Sequence, residues 1–333
     1  MRICVFGAGS VGGNLAVRLA RAGAEVSVVA RGAHLQAIRR DGLTLRAPEG
    51  EFVRRVAASD DPATLGVQDV VVSTLKTTGL AALAAGITPL LGPDTPVVFA
   101  LNGIPWWYAH GLPAGARCPD LGFLDPAGAL HAAVSTSRIA GGVIYSPNSV
   151  VAPGVIENGP GANQRLILGE PGGGAGEPLS RLAAMLVAGG IGAPVTPDIR
   201  REIWSKLLVN VANAPLSVLI GAGAEAVHAD PTLSAMSDAV RRESTAVAEA
   251  HGITLDPAPW RRPASGKPGG GHKPSMLQDF ELGRAPEIDS MLVALQAFAR
   301  AGAVPTPTLD RLTALVAARA TALGIYAGSP RPG

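Results

Sequence analysis

Residues 1–12, Met1-Arg2-Ile3-Cys4-Val5-Phe6-Gly7-Ala8-Gly9-Ser10-Val11-Gly12, decide the fold. Ile3–Phe6 is a short apolar run of strand character, the glycines follow at once, and Ser10–Ala22 carries Leu15, Leu19 and Ala22 at helical spacing. A second β-rich run, Glu25–Val29, comes next, so the chain opens as a βαβ unit with Gly-x-Gly-x-x-Gly at its first turn. In that context Gly7 allows the tight turn, Gly9 lets backbone approach a pyrophosphate, and Gly12 lets the helix lie close on the strand. The anion would rest on unpaired N–H groups at the helix start, which makes Gly7, Ala8, Gly9, Ser10, Val11 and Gly12 the candidate cofactor loop. In a chain with 42 glycines the motif alone also reads as an ordinary glycine-rich turn. Its place between a strand and a helix favours a dinucleotide.

The second strand runs out at Arg31, where a protein selecting NAD usually carries an acidic residue for the ribose hydroxyls. A guanidinium there suits a 2′-phosphate, whose oxygens it can bind as a fork, whereas a carboxylate would repel them. The expected cofactor is therefore NADP(H); the alternative is a solvated arginine at a strand end.

Working outward, Val70–Thr74 and Val97–Leu101 continue the strand pattern. Leu43–Leu45 and Phe52–Val56 flank Pro48-Glu49-Gly50 as a hairpin. Gly142–Tyr145, Val150–Ile156 and Arg165–Leu168 read as an antiparallel extension of the sheet. Beyond residue 175 the period lengthens, and helices are expected over 178–188, 198–220, 230–251, 275–283, 287–301 and 307–322. The fold class expected is α/β: a Rossmann-type dinucleotide-binding domain over residues 1–175, then a mainly α-helical substrate domain over 176–326. Pro171–Gly176 reads as a linker and Asp256–Pro274 as a long loop leading into a polar motif.

Composition bounds the rest. The chain has 333 residues, of which 47% are hydrophobic and 16% charged, enough apolar material for two cores. The formal net charge of +2 is spread along the chain, so no basic stripe for nucleic acid is present. Cys4 and Cys118 imply neither a disulfide framework nor a metal site, and the six histidines, His34, His110, His131, His228, His251 and His272, lack metal-ligand spacing. The chain opens on a strand rather than on a charged leader with a long apolar segment, and no uninterrupted apolar stretch of about 18 residues follows. A cytoplasmic location without a membrane span is the expectation.

The most informative helix is Trp204-Ser205-Lys206-Leu207-Leu208-Val209-Asn210-Val211-Ala212-Asn213. Lys206, Asn210 and Asn213 recur at i, i+4 and i+7, on one face, amid apolar neighbours. Buried amine and amide groups need partners, and a polar substrate could supply them; the alternative is a snorkelling lysine beside two structural asparagines.

With this helix the chain resembles the ketopantoate reductase (2-dehydropantoate 2-reductase) family, almost end to end. The likeness rests on GAGSVG at 7–12, TLK ending at Lys76, Asn102-Gly103, WSKLLVN at 204–210, and Ser275-Met276-Leu277-Gln278-Asp279 followed by Glu287-Ile288-Asp289. The resemblance implies NADPH-dependent reduction of the C2 ketone of a 2-oxo acid, with Lys206 as catalytic acid, Asn210 and Ser275 on the substrate, and Lys76, Asn102 and Glu287 on the cofactor side. Glu287 would orient the ammonium or bind a ribose; in isolation it is a glutamate opening a helix after Pro286. Ser275 after Pro274 also suits a helix cap.

Two departures bear on the substrate. Ala214 stands where the family usually has asparagine, and Asn213, the remaining candidate contact, is offset by about 100° on the helix; Ala224 likewise stands where some members carry asparagine. Trp106-Trp107-Tyr108 could wall a larger, more apolar pocket or pack between domains. A reductase of another 2-oxo acid is the close alternative, and a non-catalytic dinucleotide sensor the more distant one. His272 sits in a glycine-rich loop that could close over substrate. The helices between 230 and 322 are compatible with a homodimer or with one completed core.

Overall fold

The computed structural model describes residues 1–159, 164–255 and 273–328. β1 (Arg2–Phe6), α1 (Ser10–Arg21) and β2 (Glu25–Val29) form the expected βαβ unit, with the two strands parallel from Arg2↔Glu25 to Phe6↔Val29. Both faces of β1 are covered, as its unbroken apolar run requires of a central parallel strand. Burial also pushes the Cys4 thiol up to about 12, against a weaker opposing hydrogen bond with Ser27, which leaves it inert.

The chain continues through α2 (Gly32–Asp41), β3 (Leu43–Ala47), β4 (Gly50–Arg54), β5 (Ala57–Ser59), β6 (Val70–Ser73), α3 (Leu80–Gly86) and β7 (Val97–Ala100). After residues 101–128 come α4 (Ala129–Ala133), β8 (Ile139–Tyr145), β9 (Asn148–Ala152), β10 (Val155–Asn158), β11 (Arg165–Gly169) and α5 (Glu177–Ala188). The main sheet has the order β11-β8-β7-β6-β1-β2-β5. Its neighbours are parallel except for β11, which runs antiparallel to β8.

The expected hairpin of β3 and β4 is present, but it belongs to a second sheet of order β4-β3-β10-β9. The single strand expected over Val150–Ile156 is two strands, and they extend this smaller sheet rather than the main one. Pro153 cannot donate to a ladder and Gly154 adopts φ +77, so the chain turns there. Thr44 N–H then donates to Gly154 O at 2.9 Å and ties the turn to β3.

α1 contacts strands of both sheets, and Asn14 and Arg18 are among its buried residues. Arg18, 2% exposed, donates to Asn14 Oδ1 (2.9 Å), Gly189 O (3.2 Å) and Asn158 Oδ1 (3.3 Å) and pairs with Glu49 at 2.7 Å. Each nitrogen of the guanidinium thus has at least one acceptor, which offsets the cost of burying it.

Two compact units emerge: Met1–Leu101 with Ala127–Ile199, and Asn102–Pro126 with the chain from Arg200 onward. The expected boundary at 175/176 is displaced because Leu179, Leu182, Ala183 and Leu186 of α5 join the same hydrophobic core as Ile3 and Val5. The excursion 102–126 leaves the first unit altogether, a long-range exchange that local periodicity does not reveal.

The second unit is helical: α6 (Ile199–Ile220), α7 (Ala224–Ala229), α8 (Pro231–Ala250), α9 (Ser275–Glu281), α10 (Ala294–Ala301) and α11 (Pro307–Ala322). The expected helix over 230–251 starts where Asp230 caps it, accepting from Thr232 N (2.8 Å) and Leu233 N (2.9 Å). Trp106, Trp107 and Tyr108 are buried in this unit. Tyr108 accepts from Trp204 Nε1 at 2.7 Å, and the edges of both rings meet Phe298. The aromatic run is therefore part of the second unit's packed interior, with Tyr108 at its centre. α6 is long and apolar enough to cross a membrane by length and composition, but 67% of its most apolar window is buried inside the protein, as in a core helix. Residues 256–272, with Gly269–Gly271 and His272, lie outside the described residues.

Candidate active site

The glycine loop joins β1 to α1 as the motif requires. Gly7 has φ +103, closed to most side chains, and a Cβ there would come within 2.7 Å of Leu75 Cδ2. A Cβ on Gly12 would lie 2.0 Å from Gly7 O and 2.5 Å from Thr74 Oγ1, so helix and loop touch backbone to backbone. A Cβ on Gly9, by contrast, would meet no atom of the described residues within 4 Å. The first bond of α1 runs from Gly13 N–H to Gly9 O at 2.7 Å, which leaves the N–H groups of Ser10, Val11 and Gly12 ahead of the intrahelical ladder. No capping side chain and no first-turn acid competes for that positive end. Open space beside Gly9, unclaimed donors and the absence of a competing carboxylate fit a dinucleotide pyrophosphate.

Arg31 stands at the N-cap of α2, two residues past β2, and is exposed. Lys76 follows β6 by three residues, half-buried at the start of a 3-10 turn over Thr77–Gly79. Both sit past the C-terminal ends of sheet strands, where open α/β sheets take their ligands.

In the second unit the structure brings three of the candidate residues together. Lys206 projects from the second turn of α6, and its ammonium is pushed down to about 8 by the loss of hydration on burial, with the negative charge of Glu287 pulling it part-way back. Glu287 is 4% exposed. Asn102 donates its Nδ2 to Glu287 Oε2 at 3.2 Å. An amine lowered to about 8, a buried carboxylate that favours its charged form, and an amide bonded to that carboxylate are groups that could together serve as a general acid.

An irregular turn begins two residues after Glu287. The helix expected over 287–301 opens with a π-helical turn, Asp289–Val293, before α10. Ser290 O accepts Ile104 N–H at 2.8 Å, fastening the residues after Asn102 to the residues after Glu287. Gly103, φ +78, is the only residue type that fits between them, since a Cβ would approach Ser290 O to 2.5 Å. Single π turns inside α-helices are frequent at functional sites.

The remaining candidates are placed differently. Asn210 is half-buried one turn beyond Lys206. Asn213 turns elsewhere: its Oδ1 accepts from Ser237 Oγ of α8 at 3.3 Å and its Nδ2 donates to Val209 O at 3.4 Å. Ser275 is the first residue of α9, exposed, and makes no capping bond; Pro274 holds the cap position. Among the described residues no three His, Cys, Asp or Glu side chains converge. Sequence reasoning passed over Thr74, whose Oγ1 donates to Gly7 O at 2.6 Å, and Ser290; both act through partners more than sixty residues away or through a carbonyl that any residue has.

Two family descriptions cover almost the whole chain: "Ketopantoate reductase PanE/ApbA" over residues 3–172 and "Ketopantoate reductase PanE/ApbA C terminal" over 198–320. The chain belongs to the ketopantoate reductase family. A 2-dehydropantoate 2-reductase of Mesorhizobium japonicum is 41% identical over 327 residues, 98% of this chain and all of that one. Another, from Halobacterium salinarum, is 27% identical over 95% of this chain and 98% of its own. Among solved structures, a candidate ketopantoate reductase from Ralstonia solanacearum MolK2 shares 39% identity and a TM-score of 0.85, covering 98% of this chain and 99% of its own. The ternary structure of D-mandelate dehydrogenase with NADH and anilino(oxo)acetate has a TM-score of 0.80 at 24% identity, over 98% of this chain and 100% of its own, and shows the shared fold.

Proposed function

We propose that this member of the family reduces 2-dehydropantoate to pantoate with NADPH, a step of pantothenate biosynthesis. The observation that carries the reading is the assembly of Lys206, Glu287 and Asn102 in a chain 41% identical, end to end, to a 2-dehydropantoate 2-reductase. The glycine loop would hold the pyrophosphate of a reduced nicotinamide dinucleotide, which when bound would supply the hydride for the ketone carbon. Lys206 then does the work of the protein: its ammonium stabilises the negative charge growing on the ketone oxygen and hands over a proton. The lowered pKa of Lys206 brings the amine closer to working pH, where a general acid is most effective. Glu287 keeps Lys206 charged, and Asn102 fixes the carboxylate. Asn210 and Ser275 are the proposed contacts for the rest of the substrate, and Arg31 and Lys76 for the cofactor phosphates.

One observation favours a second reading, a reductase of another 2-oxo acid on the same scaffold. Asn213 is engaged with Ser237, and its neighbour Ala214 is buried and apolar. Helix α6 therefore offers the substrate fewer polar groups than the family usually does. The test is loss of nicotinamide absorbance with NADPH or NADH and ketopantoate, beside a panel of other 2-oxo acids, with Lys206→Ala as control. Rapid, Lys206-dependent oxidation of NADPH by ketopantoate supports the first reading; activity confined to another acid supports the second. Dinucleotide binding with no turnover on any acid would instead point to a sensor.

A further inference from the structure

His34, in the first turn of α2, lies 26 residues from the glycine loop in sequence and reaches it in space: its Nε2 stands 2.7 Å from Ala8 O. On its other side, Nδ1 accepts Gly154 N–H at 3.0 Å, from the turn between β9 and β10. A backbone N–H can only donate, so Nδ1 carries no proton and Nε2 does; the partners fix the neutral tautomer. The ring is a rigid strut between the small sheet and the dinucleotide loop.

The value of that strut follows from what else is tied down. Gly7 N–H and Ala8 N–H both donate to Val29 O, at 3.0 and 3.2 Å. Gly7 O accepts from Thr74 Oγ1 at 2.6 Å. With Ala8 O held by His34, every polar backbone group from Gly7 N to Ala8 O has a partner within the protein. The next group is Gly9 N–H, which bonds nothing among the described residues. In a trans peptide the C=O and N–H point in opposite directions, so drawing Ala8 O toward His34 aims Gly9 N–H directly away from it. That is the glycine beside which a Cβ would meet no atom of the described residues within 4 Å.

The geometry points to His34 as a positioning residue for the dinucleotide: it sets the plane of the Ala8–Gly9 peptide so that Gly9 N–H is presented to the pyrophosphate. This inference rests on the dinucleotide-binding reading above. Such a donor, fixed before binding, needs no reorganisation when the anion arrives, and a hydrogen bond to a charged acceptor is worth on the order of tenfold in affinity or more.

Two variants separate this role from simple packing. In His34→Asn the shorter side chain places an acceptor near the Nδ1 position, for Gly154 N–H, but falls short of Ala8 O. In His34→Gln the amide has one donor and one acceptor at nearly the reach of the ring. NADPH affinity is read by fluorescence titration, and the melting temperature of the unliganded protein is read alongside. His34→Asn is expected to weaken NADPH binding by on the order of tenfold with little change in melting temperature, and His34→Gln to restore most of the affinity. Unchanged affinity in His34→Asn would overturn the assignment, as would equal losses in both variants that track a fall in melting temperature. If the unsubstituted protein binds neither NADPH nor NADH, the dinucleotide reading itself fails, which is a separate result.

Discussion

Asn102 and Glu287, 185 residues apart in sequence, are joined by a hydrogen bond of 3.2 Å from the amide to the carboxylate, and the charge held there is what raises Lys206 against its own dehydration. A general acid acts only while protonated. With the Lys206 ammonium lowered to about 8, kcat/KM for ketone reduction should fall as pH rises through that region. Glu287→Gln removes the charge that favours the ammonium, so the falling limb should move to lower pH. A limb that stays in place or moves upward would show that Glu287 does not set the acidity of Lys206. Lys206→Ala should lower kcat by about 100-fold or more.

The clasp around Gly103 makes a second prediction. Any side chain there must both adopt a positive φ and displace the backbone carbonyl of Ser290. Gly103→Ala should therefore cost about 2–4 kcal/mol of stability, read by denaturant unfolding of the second transition or the single one if the units melt together. Because Ser290 is three residues past Glu287, activity per folded molecule should fall too. A loss below about 0.5 kcal/mol would mean that the loop shifts freely and does not position the carboxylate.

The parts of this picture that were legible in the sequence are those governed by short-range rules. A βαβ opening shows as apolar runs around a glycine turn, and the parallel register of β1 and β2 follows from it. The family motifs single out Lys76, Asn102, Lys206 and Glu287 by their neighbours, and of these the structure brings Asn102, Lys206 and Glu287 together. What escaped depends on distant partners. The transfer of 102–126 to the second unit, the capture of β10 by β3, and the engagement of Asn213 by Ser237 involve residues 24 to more than a hundred positions apart, with no periodicity connecting them. The π turn escaped for a related reason: Asp289–Val293 has an ordinary helical pattern, and only the Ile104 N–H arriving from another segment rewards the misplaced carbonyl. Trp106-Trp107-Tyr108 was ambiguous because aromatic residues serve cores and pockets alike; Trp204 and Phe298 decide for the core.

Cofactor choice should turn on Arg31. It is exposed at the N-cap of α2 and available to a 2′-phosphate. Arg31→Asp replaces an attractive fork with a carboxylate that repels the phosphate and can accept from ribose hydroxyls instead. The KM for NADPH should rise by on the order of tenfold to a hundredfold while that for NADH changes little or falls. Equal effects on both cofactors would remove Arg31 from the selection of NADPH.

The glycine loop itself offers a paired test in which packing and binding respond in opposite ways. A methyl group on Gly12 would press on Gly7 O at 2.0 Å, a backbone atom that cannot rotate aside. Gly12→Ala should lower the melting temperature, by about 1–3 kcal/mol in stability, before any ligand is added. Gly9 has φ −68 and ψ −158, ordinary for any residue, and open space where the Cβ would lie. Gly9→Ala should leave stability within about 0.5 kcal/mol of the unsubstituted protein. Its methyl group would then occupy ground that the dinucleotide needs, and NADPH affinity should fall by on the order of tenfold. Stability measured by thermal melting and affinity by fluorescence titration read the two effects separately. If Gly9→Ala binds NADPH as well as the unsubstituted protein does, the space beside Gly9 is not where the pyrophosphate rests.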